Sequence, residues 1–217
     1  MKTDSQLQRD VLDELKFDPR VGDAEVGVAV RDGVVTLSGY VDSYARKIAA
    51  ERAVERVGGV RAVAEELEVK LPGALARSDT DIAHQVASAL RWDIEIPDNK
   101  LTARVEKGWV WLEGEAEWQY QRMAAERVVR YLTGVKGVTN LIKIRPRVST
   151  YDVTKRIKEA LHRSAEQDVK KIQVEAADGR VTLRGTVRSF AERQDAERAA
   201  WAAEGVMAVE DRLVVTA

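Results

Sequence analysis

Cysteine is absent from the 217 residues. Disulfides, thiolate nucleophiles, zinc–thiolate centres and acyl attachment at sulfur are therefore excluded. Histidine is scarce: His84 and His162 are the only two, and neither has a nucleophile or ligand pattern around it. Both read as helix-surface residues. No apolar run reaches the ~18 residues that a membrane-spanning helix needs. The first ten residues, Met1 to Asp10, contain no apolar leader core. The expectation is a cytoplasmic protein, periplasmic only if an upstream signal was removed. An excess of positive charge is also missing: 35 Lys and Arg stand against 36 Asp and Glu, for a net charge of −1. Residues 1–71, 72–146 and 147–217 carry −3, +1 and +1. No part is basic enough to draw nucleic acid, so no nucleic-acid partner is expected. There is no GxGxxG and no P-loop lysine, which leaves nothing to cradle a phosphate.

What is present is a repeat. Gly33, Gly108 and Gly179 recur at offsets of 75 and then 71 residues, and Gly39, Gly114, Gly185 and Gly59, Gly134, Gly205 keep the same offsets. Apolar positions share the register. Leu7, Val11 and Leu15 match Ile82, Val86 and Leu90, then Val153, Ile157 and Leu161; spacing of four puts each trio on one helix face. Asp4, Asp79 or Asp81, and Asp152 stand where a helix cap belongs. Next comes alternation: Val26, Val28, Val30; Leu101, Ala103, Val105; Ile172, Val174, Ala176. Period two predicts a strand with one buried face, and Asp-Gly in two copies predicts a tight hairpin turn into the next strand. A second helix starts near Ser43, Trp118 and Ser189 and carries Ala-Glu-Arg in every copy (50–52, 125–127, 196–198). The third glycine is expected to end it, and a last strand follows. Each copy reads α-β-β-α-β. The chain thus divides into domains at 1–72, 77–146 and 150–217, with joints too short to be flexible tethers, so the domains should touch.

Gly33-Val34-Val35-Thr36-Leu37-Ser38-Gly39-Tyr40-Val41, the Ala-Glu-Arg helix, and Gly59-Val60-Arg61-Ala62-Val63 resemble the BON domain, and so do their counterparts from Gly108 and Gly179. The motif Val-x-Asn-x-Leu/Ile of the last strand is whole only at 138–142; Glu65 and Asp211 replace the asparagine elsewhere. The resemblance implies an α+β fold: a mixed three-stranded sheet with two helices on one face, three times in tandem. It implies no catalysis and no cofactor. It also implies a role in osmotic or envelope stress through protein or phospholipid contact. Some relatives are linked with potassium, yet no ligand cluster here supports a small-ion or metal site.

The residues most suggestive of contact are tryptophans. Four of five fall in the second copy: Trp92, Trp109, Trp111 and Trp118. Val110 and Leu112 face the helices, so alternation sends Trp109 and Trp111 to the open face of the sheet. Either a neighbouring domain covers them, or they meet a partner, a lipid surface or a second copy in a homo-oligomer. Trp118 and Trp201 join them as candidate interaction residues; Trp201, which stands where the other copies have Glu55 and Arg130, reads either as a second contact point or as packing between domains. Tyr120, Met123, Ala124, Val128, Tyr131 and Leu132 form a helical stripe expected in the core. Glu65, Glu66 and Glu68 read as a solvated edge strand, and the repeated Glu-Arg as an ion pair at the helix–sheet margin. The function expected is non-enzymatic binding. The alternatives are self-assembly through the Trp face and small-ligand sensing at the domain junctions.

Overall fold

In a computed structural model of the chain, the described residues are 2–22, 26–97, 100–145, 157, 159 and 172–216. The first copy forms α1 (Asp4–Phe17), β1 (Val26–Arg31), β2 (Val34–Val41), α2 (Tyr44–Arg56) and β3 (Ala62–Val69). The second forms α3 (Asp79–Trp92), β4 (Leu101–Glu106), β5 (Trp109–Ala116), α4 (Gln119–Arg130), β6 (Gly137–Asn140) and β7 (Lys143–Ile144). The third contributes β8 (Ile172–Ala177), β9 (Arg180–Val187), α5 (Phe190–Trp201) and β10 (Ala208–Val215). The fold is α+β, with three small mixed sheets. In each, the first two strands pair antiparallel and the third runs parallel to the second, which is central. Of the first-helix residues expected in the third copy, Ile157 is buried in the third core; Asp152, Val153, Leu161 and His162 lie outside the described residues.

Burial follows the periodicities. Leu7, Val11 and Leu15 of α1 and Ile82 and Val86 of α3 are buried. Along the central strands Val35 and Leu37, Val110 and Leu112, and Val181 and Leu183 are fully enclosed. The second helices meet the sheet through alanine: Ala49, Ala50 and Ala53; Ala124 and Ala125; Ala196 and Ala200. Small side chains bring the helix close to the strands.

The hairpin turns need two consecutive left-handed residues. Asp32 and Gly33 have φ of 52° and 76°, Lys107 and Gly108 51° and 82°, and Asp178 and Gly179 48° and 74°. That is a tight turn whose twist matches the strands. The expected aspartate caps do a different job. Thr3 and Ser78 cap the first helices. Asp4 instead accepts from the Asp32 and Gly33 amides at 2.8 and 3.1 Å, and Asp79 from the Lys107 and Gly108 amides at 2.7 and 2.8 Å. Each carboxylate sits in the first turn of its helix, where the helix dipole favours it, and clips helix to hairpin.

Two further expectations shift. The second helices stop at Arg56, Arg130 and Trp201, ahead of Gly59, Gly134 and Gly205, whose φ of 104°, 97° and 87° place them in the turn that follows. The last strand of the second copy is interrupted at Leu141 and Ile142. Glu65, Asn140 and Asp211 each use a side-chain oxygen to accept the amide two residues on (2.8, 3.2 and 2.8 Å). Each also bonds an equivalent residue of the second helix: Lys47 with Glu65, Arg122 with Asn140 and Arg193 with Asp211. Three different side chains thus perform one task, pinning the last strand to the second helix.

The ends of α1 and α2 are joined by charge. The Asp18 carboxylate is buried and accepts from Arg20 Nε at 2.9 Å and from Arg56 at 2.8 Å, and Arg56 also reaches Glu14. The bonds from Arg20, then from Arg56, outweigh burial and hold its carboxyl well below the usual carboxylate range.

Two predictions follow from these contacts. At Gly114, φ is 124° and an added Cβ would lie 2.1 Å from the Lys100 carbonyl oxygen. Gly114→Ala should lose about 3 kcal/mol or more, read by urea unfolding. Because the Asp18 carboxyl is depressed in the folded state, its stabilisation is complete above the ordinary carboxylate range and is lost progressively as pH falls from that range toward the depressed value. Asp18→Asn should cost about 1–2 kcal/mol at neutral pH, given its partly exposed arginine partners. It should also flatten the acid limb of the melting curve; an unchanged acid limb refutes this account.

Candidate functional site at the tryptophan face

Alternation along β5 buries Val110, Leu112 and Ala116 and turns Trp109, Trp111 and Glu113 outward. Register then sets the neighbours. Trp109 lies between Glu106 and Gly137, and Trp111 between Arg104 and Thr139. The Trp109 ring rests over Gly137, where a Cβ would come within 2.4 Å of it; only glycine leaves room for an indole on the neighbouring strand. Trp109 Nε1 donates to Thr139 Oγ1 at 2.8 Å. The Arg104 guanidinium stacks 4.0 Å from the Trp111 ring centre, a cation–π contact. The two indoles are 6.4 Å apart and tilted by 43°. Trp109 remains 40% exposed, and Trp111 is half-buried. The first domain does not cover the pair. Its Leu67, Glu68 and Val69 form one wall of a cleft of about 640 Å³ that the two rings line.

The other two candidates are placed elsewhere. Trp118 precedes α4 and stacks on Tyr120 at 6.5 Å. Trp201, at the end of α5, packs against the cores of the second and third domains and donates to Glu197 at 3.3 Å. The four therefore do not form one surface: Trp109 and Trp111 are a pair, Trp118 stands apart, and Trp201 belongs to a domain junction.

The junctions rest on residues that the sequence reading had not singled out. Tyr44, the first residue of α2, is buried in the core of the second domain and hydrogen-bonded to the Val138 backbone; burial raises its phenol pKa. Ile48 and Val69 pack beside it. Phe190, at the equivalent place in α5, packs on the first core, and Gln194 donates to Glu55 at 2.6 Å. The signal was an aromatic at the first position of the second helix in two copies, where the domain's own core needs none. All three second helices border a cleft of about 710 Å³. Its cations are largely engaged already: Arg56 with Glu14 and Asp18, Arg20 with Asp18, and Arg198 with Asp195.

The stripe expected in the core of α4 divides: Ala124 is buried and Val128 and Leu132 pack against the second core, whereas Tyr120, Met123 and Tyr131 are exposed, their places against the sheet being taken by Ala125 and Val129. The repeated glutamate has a different neighbour in each copy. Glu126 holds the buried Arg130 at 2.7 Å, Glu197 takes the Trp201 indole, and Glu51 is pushed up by burial, then by Glu55 and Glu65. Among the described residues no group of three or more His, Asp or Glu side chains could hold a metal ion, and no helix is long and apolar enough to cross a membrane.

The family model of the BON domain matches residues 3–70, 78–146 and 149–217. The osmotically-inducible protein Y of Escherichia coli (strain K12) is 28% identical over 144 residues, which is 64% of this chain and 72% of that protein. Among solved structures, CdsD, a structural protein of the type III secretion system of Chlamydia trachomatis, aligns over 96% of this chain and 91% of its own at 16% identity and a TM-score of 0.26. The C-terminal domain of CdsD aligns over 100% of each chain at 15% identity and a TM-score of 0.27; scores this low carry nothing about arrangement. The repeated αββαβ unit and three family matches spanning nearly the whole sequence agree, and the chain belongs to the BON domain family as a tandem of three.

Proposed function

We propose that this is a non-enzymatic binding protein of osmotic or envelope stress that touches phospholipid surfaces through one tip of its second domain. The observation that carries the reading is the end of α3: Trp92 is 83% exposed and Ile94 99% exposed, two residues apart. Phe17, the matching residue of the first domain, is 82% exposed. An indole covers ~200 Å², worth up to about 5 kcal/mol at ~25 cal/mol per Å² if removed from water. Left in water, that stabilisation is available to a contact. Tryptophan suits the boundary between headgroups and acyl chains, where its ring is apolar and its N–H stays wet. Arg91, exposed beside Trp92, adds attraction to anionic headgroups of about 1 kcal/mol near the surface. So small an apolar tip gives reversible binding rather than anchoring. The name of the osmotically-inducible relative supports the stress setting.

The test is co-sedimentation of the full chain with phosphatidylglycerol vesicles, beside phosphatidylcholine vesicles. Wild type should sediment with the anionic vesicles and be released by salt. Trp92→Ser/Ile94→Ser should stay in the supernatant with its melting temperature nearly unchanged, since both side chains stand outside the core. Equal sedimentation of variant and wild type overturns the reading.

A further inference from the structure

The cleft at the tryptophan pair is not isolated. A second cleft of about 670 Å³ lies along the joint between the first and second domains, and the two share Val69, Lys107 and Lys136. Together they make one groove. It runs from Trp109 and Trp111, past Lys107 and Lys136, to Arg77 and Lys70. We infer that this groove binds an acidic oligosaccharide. The inference is independent of the membrane reading, which uses the far end of the same domain.

The first argument is the aromatic platform. Both indoles are held before any ligand arrives, Trp109 by its bond to Thr139 over the bare Gly137 and Trp111 by Arg104. A platform ordered in advance loses little freedom on binding. The C–H face of a pyranose carries slight positive charge and rests well on the negative face of an indole. With centroids 6.4 Å apart and planes tilted by 43°, the two rings suit successive sugars of a twisting chain rather than a stack of parallel bases.

The second argument is charge. Lys107 and Lys136 are exposed and have no ion-pair partner among the described residues. The Asp79 carboxylate nearby is already occupied by the Lys107 and Gly108 amides. Two open ammonium groups beside an aromatic platform suit sparse carboxylates on a carbohydrate chain. Glu68 and Glu106 line the same groove. They accept hydrogen bonds from sugar hydroxyls, and they repel a continuous phosphate backbone, which binds chiefly by meeting many cations.

The experiment is isothermal titration of the full chain with a hyaluronan hexasaccharide, whose carboxylates sit only on alternate sugars, with neutral chitohexaose and a short thymidine oligonucleotide as comparisons. The uronate should bind, weaken as salt rises, and exceed the neutral sugar by about tenfold or more in affinity. Lys107→Glu/Lys136→Glu changes only surface side chains and should weaken uronate binding by about tenfold or more. Trp111→Ser should abolish it, and neither lysine substitution should alter vesicle binding. The inference is overturned by no heat from the uronate, by equal affinity for the neutral sugar, or by an unaffected lysine variant. Tighter binding of the oligonucleotide, or a tryptophan-dependent dimer in light scattering that blocks the groove, overturns it too.

Discussion

Each sheet is three strands wide, and its central strand pairs parallel with the last. A parallel pair cannot be closed by a tight turn; the chain must cross over, and here the crossover is the second helix. With the first helix on the same side in the first two domains, one sheet face becomes core and the other is left open. Side chains alternate with period two, so every outward residue of the central strand is committed to the open face by its register alone. In the first domain that row holds Val34, Thr36 and Ser38, in the third Arg180, Thr182 and Arg184, and in the second Trp109, Trp111 and Glu113. One architecture thus carries three different surfaces, and the aromatic one is the exception.

How much could be read in advance follows from the range of the interactions. The glycine register and the strand alternation are local, and they gave the αββαβ order and the outward direction of Trp109 and Trp111. Helix ends are less local. The first-turn aspartates looked like caps, but Asp4 and Asp79 serve hairpin amides 28 and 29 residues away. The stripe on α4 held only in half for a related reason: Ala124, Val128 and Leu132 do face the core, but close packing against the strands selects small side chains and leaves Tyr120, Met123 and Tyr131 outside. Tyr44 was least legible, because its surroundings come from another domain and no periodicity within a copy records it, whereas Trp201 stood out against Glu55 and Arg130 at the same helix position.

The repeated Ala-Glu-Arg shows how such a repeat diverges. The backbone site is the same in all three copies, yet Glu126 compensates a buried arginine while Glu51 lies among other carboxylates. Burial and those neighbours raise the Glu51 pKa, and burial raises that of Glu55. The sign is opposite to that of Asp18. A raised folded-state value means that the native protein holds its proton more readily than the unfolded chain does, so this part of stability falls as pH rises through the raised values. Glu55 is also the acceptor for Gln194. That bond favours the ionised carboxylate and partly offsets the upward push of burial, so the contact between the first and third domains opposes the acid preference that burial gives Glu55.

The second domain keeps its two exposed apolar sites apart by the same clip that builds it. Asp79 at the start of α3 grips the turn that leads directly into Trp109, while Trp92 closes the helix at its other end. Fourteen helical residues at 1.5 Å each place the two sites roughly 20 Å apart. That is more than twice the distance over which exposed charges act at physiological salt, about 8 Å, so a ligand charged at one end is barely felt at the other. Coupling would need a two-state element between them, and α3 is a single rigid helix whose buried face is committed to the core. The proposed vesicle-binding tip and the proposed saccharide groove are thus separate surfaces, and neither proposal requires the other to be occupied.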